Sequence, residues 1–396
     1  MDDRRRLERA VMAGTTAAPT SAHPTADAAP APHDVTAATH TYATLDVPVA
    51  GGRLRVGVWD PVPAPGARLD DGARRREHAR LDDAGPDAGP DARPHARPDA
   101  MTVPTVLAVH GITASHRAWP AVVAALPGVR VIAPDLRGRG RSNGLPGPYG
   151  MGAHADDLAA VLDVLGIESV VALGHSMGAF VSVVLAHRHP GRVSRLVLVD
   201  GGIPLPPPAG LPPDADHDQV LRALLGPAVE RLERTFADRE EYRGFWRAHP
   251  AFASAWEEPW GDVVAGYVDY DLVGEAPALR PASSGAAVSA DSLELYEGGP
   301  LADALAGDHP LAVPLVLLRA PRGLLDEPEA LYSPEHLAAW RARLPGLRTR
   351  DVAGINHYTI IMSPPGVEAV AGETLRALAA VTSGGTGSAC DEEVTA

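Results

Sequence analysis

Apolar and polar positions along this chain follow two rhythms, and the places where the rhythm changes mark its parts. Tyr42-Ala-Thr-Leu-Asp-Val-Pro-Val and Arg53-Leu-Arg-Val-Gly-Val-Trp alternate with period two, and Gly51-Gly52 lies between them. That spacing predicts a β-hairpin over residues 41–60. From Pro104 short apolar runs alternate with helical spacing. Pro104-Thr-Val-Leu-Ala-Val, Val129-Arg-Val-Ile-Ala, Ser169-Val-Val-Ala-Leu and Arg195-Leu-Val-Leu-Val read as strands covered on both faces. Trp119 to Leu126, Ala153 to Leu165 and Ala179 to His187, between them, read as helices. Strand–helix repetition of this kind predicts a doubly wound, mostly parallel α/β sheet, with residues 101–200 as the first part of its core.

The rhythm breaks at Gly201. Residues 201–310 are Pro-rich, then helical and aromatic, with Phe236, Tyr242, Phe245, Trp246, Phe252, Trp256, Trp260, Tyr267 and Tyr270. They read as a helical cap inserted after the sixth strand. The α/β pattern resumes over 311–381 with Pro314-Leu-Val-Leu-Leu-Arg, a helix near Pro334 to Arg343, a strand near Leu347 to Val352 and a last helix from about Gly366. Three stretches are too poor in large apolar side chains to offset the entropy of ordering: an arm at 1–40, an insertion at 61–100 and a tail at 382–396. The insertion ends in a tetrapeptide array, Gly85-Pro-Asp-Ala to Arg97-Pro-Asp-Ala, whose prolines forbid a helix or a central strand.

Composition narrows the chemistry. A net charge of −15 argues against nucleic acid, which needs a basic face. The chain has no lysine, which excludes Schiff-base and pyridoxal-phosphate mechanisms. Its single cysteine, Cys390, allows no internal disulfide and no cysteine-based zinc site. No signal-type apolar region opens the chain and no 18-residue apolar run crosses a membrane, so a soluble, cytoplasmic protein is expected, as monomer or homodimer.

The candidate chemistry follows the strand ends. Gly174-His175-Ser176-Met177-Gly178 fits G-x-S-x-G between a buried strand and a helix. A sharp strand-to-helix turn of this kind lifts Ser176 Oγ to a helix N-terminus, where backbone N–H groups face a developing anion. Only small neighbours tolerate it. His110-Gly111-Ile112-Thr113 follows the first core strand, and His357 in Gly354-Ile-Asn-His-Tyr-Thr-Ile follows the last. A base must lie C-terminal to nucleophile and acid, and His336, the other histidine beyond Pro310, falls inside a helix.

With these residues in view, the segments HGITASHRAW, PDLRGRGRS, ALGHSMG, LVLVDGG and GINHYTIIM resemble the α/β-hydrolase superfamily, in its esterase- and lactonase-like branch, over roughly residues 41–60 and 101–381. The resemblance implies the α/β-hydrolase fold, a Ser/His/acid triad of Ser176 and His357, oxyanion donors from the amides of Ile112 and Met177, a cap and no cofactor. The acid departs from the family pattern. The usual turn carries Gly323 where an Asp stands, leaving Asp326, while Asp200, 24 residues after Ser176, occupies the position at the end of the strand after the elbow. Both stay open. Asp135 with Arg137, Arg139 and Arg141 reads as structural ion pairing, and Asp156 and Asp157 as solvated or capping residues. The implied activity is cleavage of an ester or lactone bond in a hydrophobic small molecule through an acyl-enzyme. A C–C hydrolase or amidase, a secondary-metabolite tailoring hydrolase, or a silent ligand-binding protein on the same shell are the alternatives.

Overall fold

A computed structural model describes residues 36, 38–62, 103–206, 219, 222, 225–296, 298–306 and 311–383. The expected arm, insertion and tail lie almost wholly outside the described residues. Strand β1 (His40–Val49) pairs antiparallel with β2 (Gly52–Pro61), and Gly51 at φ +87° makes the turn between them. β2 pairs antiparallel with β4 (Arg130–Pro134), and every later pairing in this sheet is parallel. With β3 (Thr105–Val109), β5 (Val170–His175), β6 (Val193–Val199), β9 (Leu315–Arg319) and β10 (Leu347–Asp351), the order is β1-β2-β4-β3-β5-β6-β9-β10. β5 is buried along its whole length, and β3 and β6 toward their C-terminal ends, as expected of Val/Leu runs sandwiched between helices.

The helices that cover the sheet are α1 (Pro120–Ala124), α2 (Met151–Val164), α3 (Met177–Arg188), α9 (Pro334–Arg343) and α10 (Pro364–Thr382). Between β6 and β9 lie α4 (Pro227–Glu230), α5 (Arg239–Arg247), α6 (Gly261–Tyr270), α7 (Gly285–Ser292) and α8 (Gly299–Ala306), with a two-residue hairpin of β7 (Leu272–Val273) and β8 (Arg280–Pro281). α5 shows why this segment folds as it does. Asp238 caps it by accepting from Glu241 N at 2.8 Å, and Tyr242 and Trp246, four residues apart, are the side chains it buries. Phe236 meets Tyr242 edge-on at 4.7 Å, and Trp246 meets Phe252 at 5.4 Å. Most of the aromatic stripe is therefore the core of this segment. Buried Arg231 ties it to the sheet: its Nη2 pairs with Asp271 at 2.9 Å and donates to Thr113 O at 3.1 Å. No helix among the described residues is long and apolar enough to cross a membrane.

The order of strands positions the site. The chain runs from β3 outward to β4, then crosses back to β5 on the other side of β3. The strand order reverses at the C-terminal ends of β3 and β5, the place where open α/β sheets hold ligands. His110 follows β3, Ser176 follows β5 and Asp200 follows β6, so three of the residues singled out by sequence leave neighbouring strands at one edge.

Candidate active site

Ser176 stands between β5 and α3 with φ +53°, a left-handed conformation that is costly for a side chain with a Cβ. The surrounding glycines are required by contact. A Cβ on Gly178 would come within 2.0 Å of Val109 O, one on Gly174 within 2.4 Å of Gly178 O, and one on Gly201 within 2.3 Å of Ser176 O. The turn packs backbone on backbone, and no side chain fits. Met177 is the first residue of α3, where an N–H has no acceptor within its own helix.

Opposite the serine runs the loop after β3. A Cβ placed on Gly111 would lie 3.1 Å from Ser176 Cβ and 3.5 Å from its Oγ, so this backbone passes directly beside the hydroxyl. His110 sets its course. The ring is fully buried; Nε2 accepts from Leu136 N at 2.9 Å, which leaves the proton on Nδ1 to donate to Gly111 O at 2.8 Å. Burial pushes the imidazole down to about 4, so it stays neutral and keeps that tautomer. A peptide is planar and trans, so holding Gly111 O also fixes the direction of the Ile112 N–H. The role of His110 was not foreseen from sequence, although the His-Gly pair carried the signal.

His357 and Asp200 come together. Nδ1 of His357 donates to Asp200 Oδ2 at 2.7 Å, and both side chains are buried. A carboxylate only accepts, so the proton sits on Nδ1 and Nε2 is left as the acceptor facing outward from the pair. Asp200 Oδ1 accepts from Ala320 N at 3.1 Å, which orients the carboxylate. His175, next to Ser176, donates from Nε2 to His357 O at 2.8 Å, and the two rings lie 4.9 Å apart. Burial, reinforced by the neighbouring His357, holds the His175 ring well below the ordinary range. It therefore adds no charge beside the pair.

Asp326 goes elsewhere. Its Oδ1 accepts from Arg322 Nε at 2.7 Å and from Asn356 Nδ2 at 3.1 Å, and its side chain is 37% exposed. The Arg322 hydrogen bond holds its carboxyl below the usual range. It thus braces Asn356, the residue before His357, rather than the imidazole. Asn356 itself, not singled out from sequence, accepts from the N–H groups of Tyr358 and Thr359 and donates to Ala251 O at 3.0 Å.

The loop 135–142 differs from its expected pairing. Asp135 does not pair with the arginine guanidinium groups that follow it. It accepts from His116 Nδ1 at 2.7 Å, from Tyr270 OH at 2.8 Å and from the backbone N–H of Arg141 at 2.8 Å. The chain can close over the carboxylate because Gly140, at φ +51°, has no Cβ; one would sit 2.2 Å from Asp135 Oδ2. Arg137 pairs instead with buried Asp157 at 2.7 Å, and Arg139 with buried Asp291. Asp157 is accordingly part of a buried pair rather than a solvated residue, whereas Asp156 on the exposed side meets Arg188 and His189.

Residues 104–249 match the family model of the alpha/beta hydrolase fold. Lipase LipV of Mycobacterium tuberculosis is 41% identical over 142 residues, covering 36% of this chain and 51% of the lipase. A putative carbamate hydrolase, RutD of Caulobacter sp. strain K31, is 36% identical over 99 residues, covering 24% of this chain and 37% of that protein. The chain thus spans about half, or less, of the length of these curated relatives. Among solved structures, E-2-(acetamidomethylene)succinate hydrolase superposes with a TM-score of 0.56 at 20% identity, covering 84% of this chain and 98% of its own. The thioesterase domain from the curacin biosynthetic pathway does so with 0.56 at 19%, covering 85% and 99%.

Proposed function

We propose that this chain, which belongs to the α/β-hydrolase superfamily, is a serine hydrolase that cleaves an ester or lactone of a hydrophobic small molecule through an acyl-enzyme. The reading rests chiefly on one observation: a buried 2.7 Å hydrogen bond from His357 Nδ1 to Asp200, beside a serine held at positive φ in a glycine-walled turn. Ser176 is the nucleophile, His357 the base and Asp200 the acid.

In the proposed cycle His357 Nε2 takes the Ser176 proton as Oγ attacks the carbonyl carbon. The N–H groups of Ile112 and Met177 receive the oxyanion, and Asp200 stabilises the imidazolium. His357 then gives its proton to the leaving oxygen, and water, activated by the same imidazole, releases the acid. A serine rather than a carboxylate at the elbow speaks for acyl transfer. Tyr358, adjacent to His357, packs its ring against Phe252 at 5.1 Å and His249 at 5.6 Å. These buried rings seat the 201–310 segment against the loop that carries the base, which fits that segment's proposed role as a cap. That LipV is named a lipase fits an ester substrate.

Intact mass after incubation with a fluorophosphonate tests this. One adduct on the wild type and none on Ser176→Ala is the expected result. A wild type that takes no adduct, while remaining folded by circular dichroism, sinks the reading.

A further inference from the structure

Arg139 is fully buried, and burying a guanidinium is unfavourable unless every part of it is engaged. Its engagements are informative. Nε donates to Ile112 O at 2.9 Å, Nη1 donates to Arg137 O at 3.0 Å, and Nη2 lies 3.9 Å from Met177 Sδ. One side chain therefore touches both residues whose amides are assigned to the oxyanion. His110 holds the peptide on the N-terminal side of Ile112 through Gly111 O, and Arg139 holds the peptide on its C-terminal side through Ile112 O. With both flanking planes held, the Ile112 N–H has little freedom to turn.

The counter-charge does not come from the sheet. Asp291, on α7 of the segment between β6 and β9, pairs with Arg139 and is itself fully buried. Its carboxylate also accepts from Gly150 N at 2.5 Å and His154 Nε2 at 2.9 Å. Burial pushes its carboxyl upward, but the Arg139 charge and the His154 contacts hold it below the ordinary value. α7 is seated closely on this loop. A Cβ on Gly138 would stand 2.5 Å from Ala287 Cβ, and Ser284 N donates to Gly138 O at 2.8 Å.

We infer that Arg139 is a positioning residue of the oxyanion site and that Asp291, by docking from the inserted segment, is what keeps it there. The oxyanion donors of the core are in this way completed by the insertion. The inference rests on the serine-hydrolase reading above.

The test compares a p-nitrophenyl ester with its thionoester. A thiocarbonyl sulfur accepts hydrogen bonds weakly, so a catalyst that relies on N–H donors favours the oxygen substrate, and loosening those donors erodes the preference. Asp291→Asn alone leaves a buried charge unpaired and is expected to fold poorly. The double variant Arg139→Met/Asp291→Leu removes both charges while keeping apolar volume. Its kcat on the oxygen ester should fall roughly tenfold or more, less than the 10²–10³ of outright donor loss. Its KM should stay near wild type, and its thionoester rate should fall much less. Arg139→Lys, which keeps the charge but not the fork of donors, should show the same erosion and carries the comparison if the double variant does not fold. A folded variant that keeps the wild-type oxygen-to-sulfur ratio overturns the inference while leaving the serine-hydrolase reading intact. A wild type that takes no fluorophosphonate overturns both.

Discussion

Asp200 and Asp326 both hold a positive φ, +46° and +61°, Asp200 directly after β6 and Asp326 within the loop that follows β9. What separates them is their partners. Asp200 is buried on an imidazole, and Asp326 is half-exposed on a guanidinium. Asp200→Asn should therefore lower kcat by roughly 10⁴-fold on a p-nitrophenyl ester, because an amide in place of the carboxylate favours the wrong imidazole tautomer. Asp326→Asn should cost less than about tenfold, since an exposed pair of this kind contributes little and Asn356 keeps its other hydrogen bonds. Equal losses in the two variants would contradict the assignment of roles. The pairing was readable in part: Arg322 stands four residues before Asp326, a ready ion partner, whereas nothing in the sequence places an arginine beside Asp200. The buried course of Arg139 was not readable, because its two ends are met by residues 27 positions upstream and 152 downstream.

At the scale of elements, the strands were readable because burial on both faces demands continuous Val/Leu runs, and the helices because their apolar positions recur at helical spacing. The short hairpin of β7 and β8 was not, since two-residue strands have no periodicity to detect. Register supplies a prediction that periodicity cannot. Trp59 near the end of β2 pairs with Val131, and Val131 pairs with Val106 near the start of β3. The two ends of the intervening segment are thus two strand spacings apart, about 10 Å. A six-residue Gly/Ser linker spans that distance. Replacing residues 63–102 with such a linker is expected to leave the thermal midpoint and the fluorophosphonate adduct unchanged. Loss of folding in the shortened chain would show that the segment contributes to the core.

At the scale of the whole molecule, the site is assembled around neutral buried histidines, and this makes stability depend on pH. Burial holds His110 and His249 at about 4 and His175 well below its ordinary value of 6.5. In the unfolded chain each would take up a proton near 6.5. Between about pH 6.5 and 4 the unfolded state therefore binds more protons than the folded one, so stability falls as pH falls through that window. For His110 alone, fully buried, the difference between 6.5 and about 4 amounts to about 3 kcal/mol by the acid end. The Asp135 carboxylate acts lower. Burial pushes Asp135 up, but His116 pulls it well below its usual value, so its contribution is full at neutral pH and begins to be lost only below about pH 5. Asp157, whose carboxyl burial pushes up, works in the opposite sense, so the span from pH 7 to 5 is read for His110 by comparing the wild type with a variant at that position. The urea midpoint should fall across it, and His110→Asn, which cannot take up a proton, should be less stable at pH 7 yet fall less steeply. Parallel curves for the two proteins would mean that His110 is not held neutral, and the Nδ1 proton that fixes Gly111 O beside Ser176 would lose its basis.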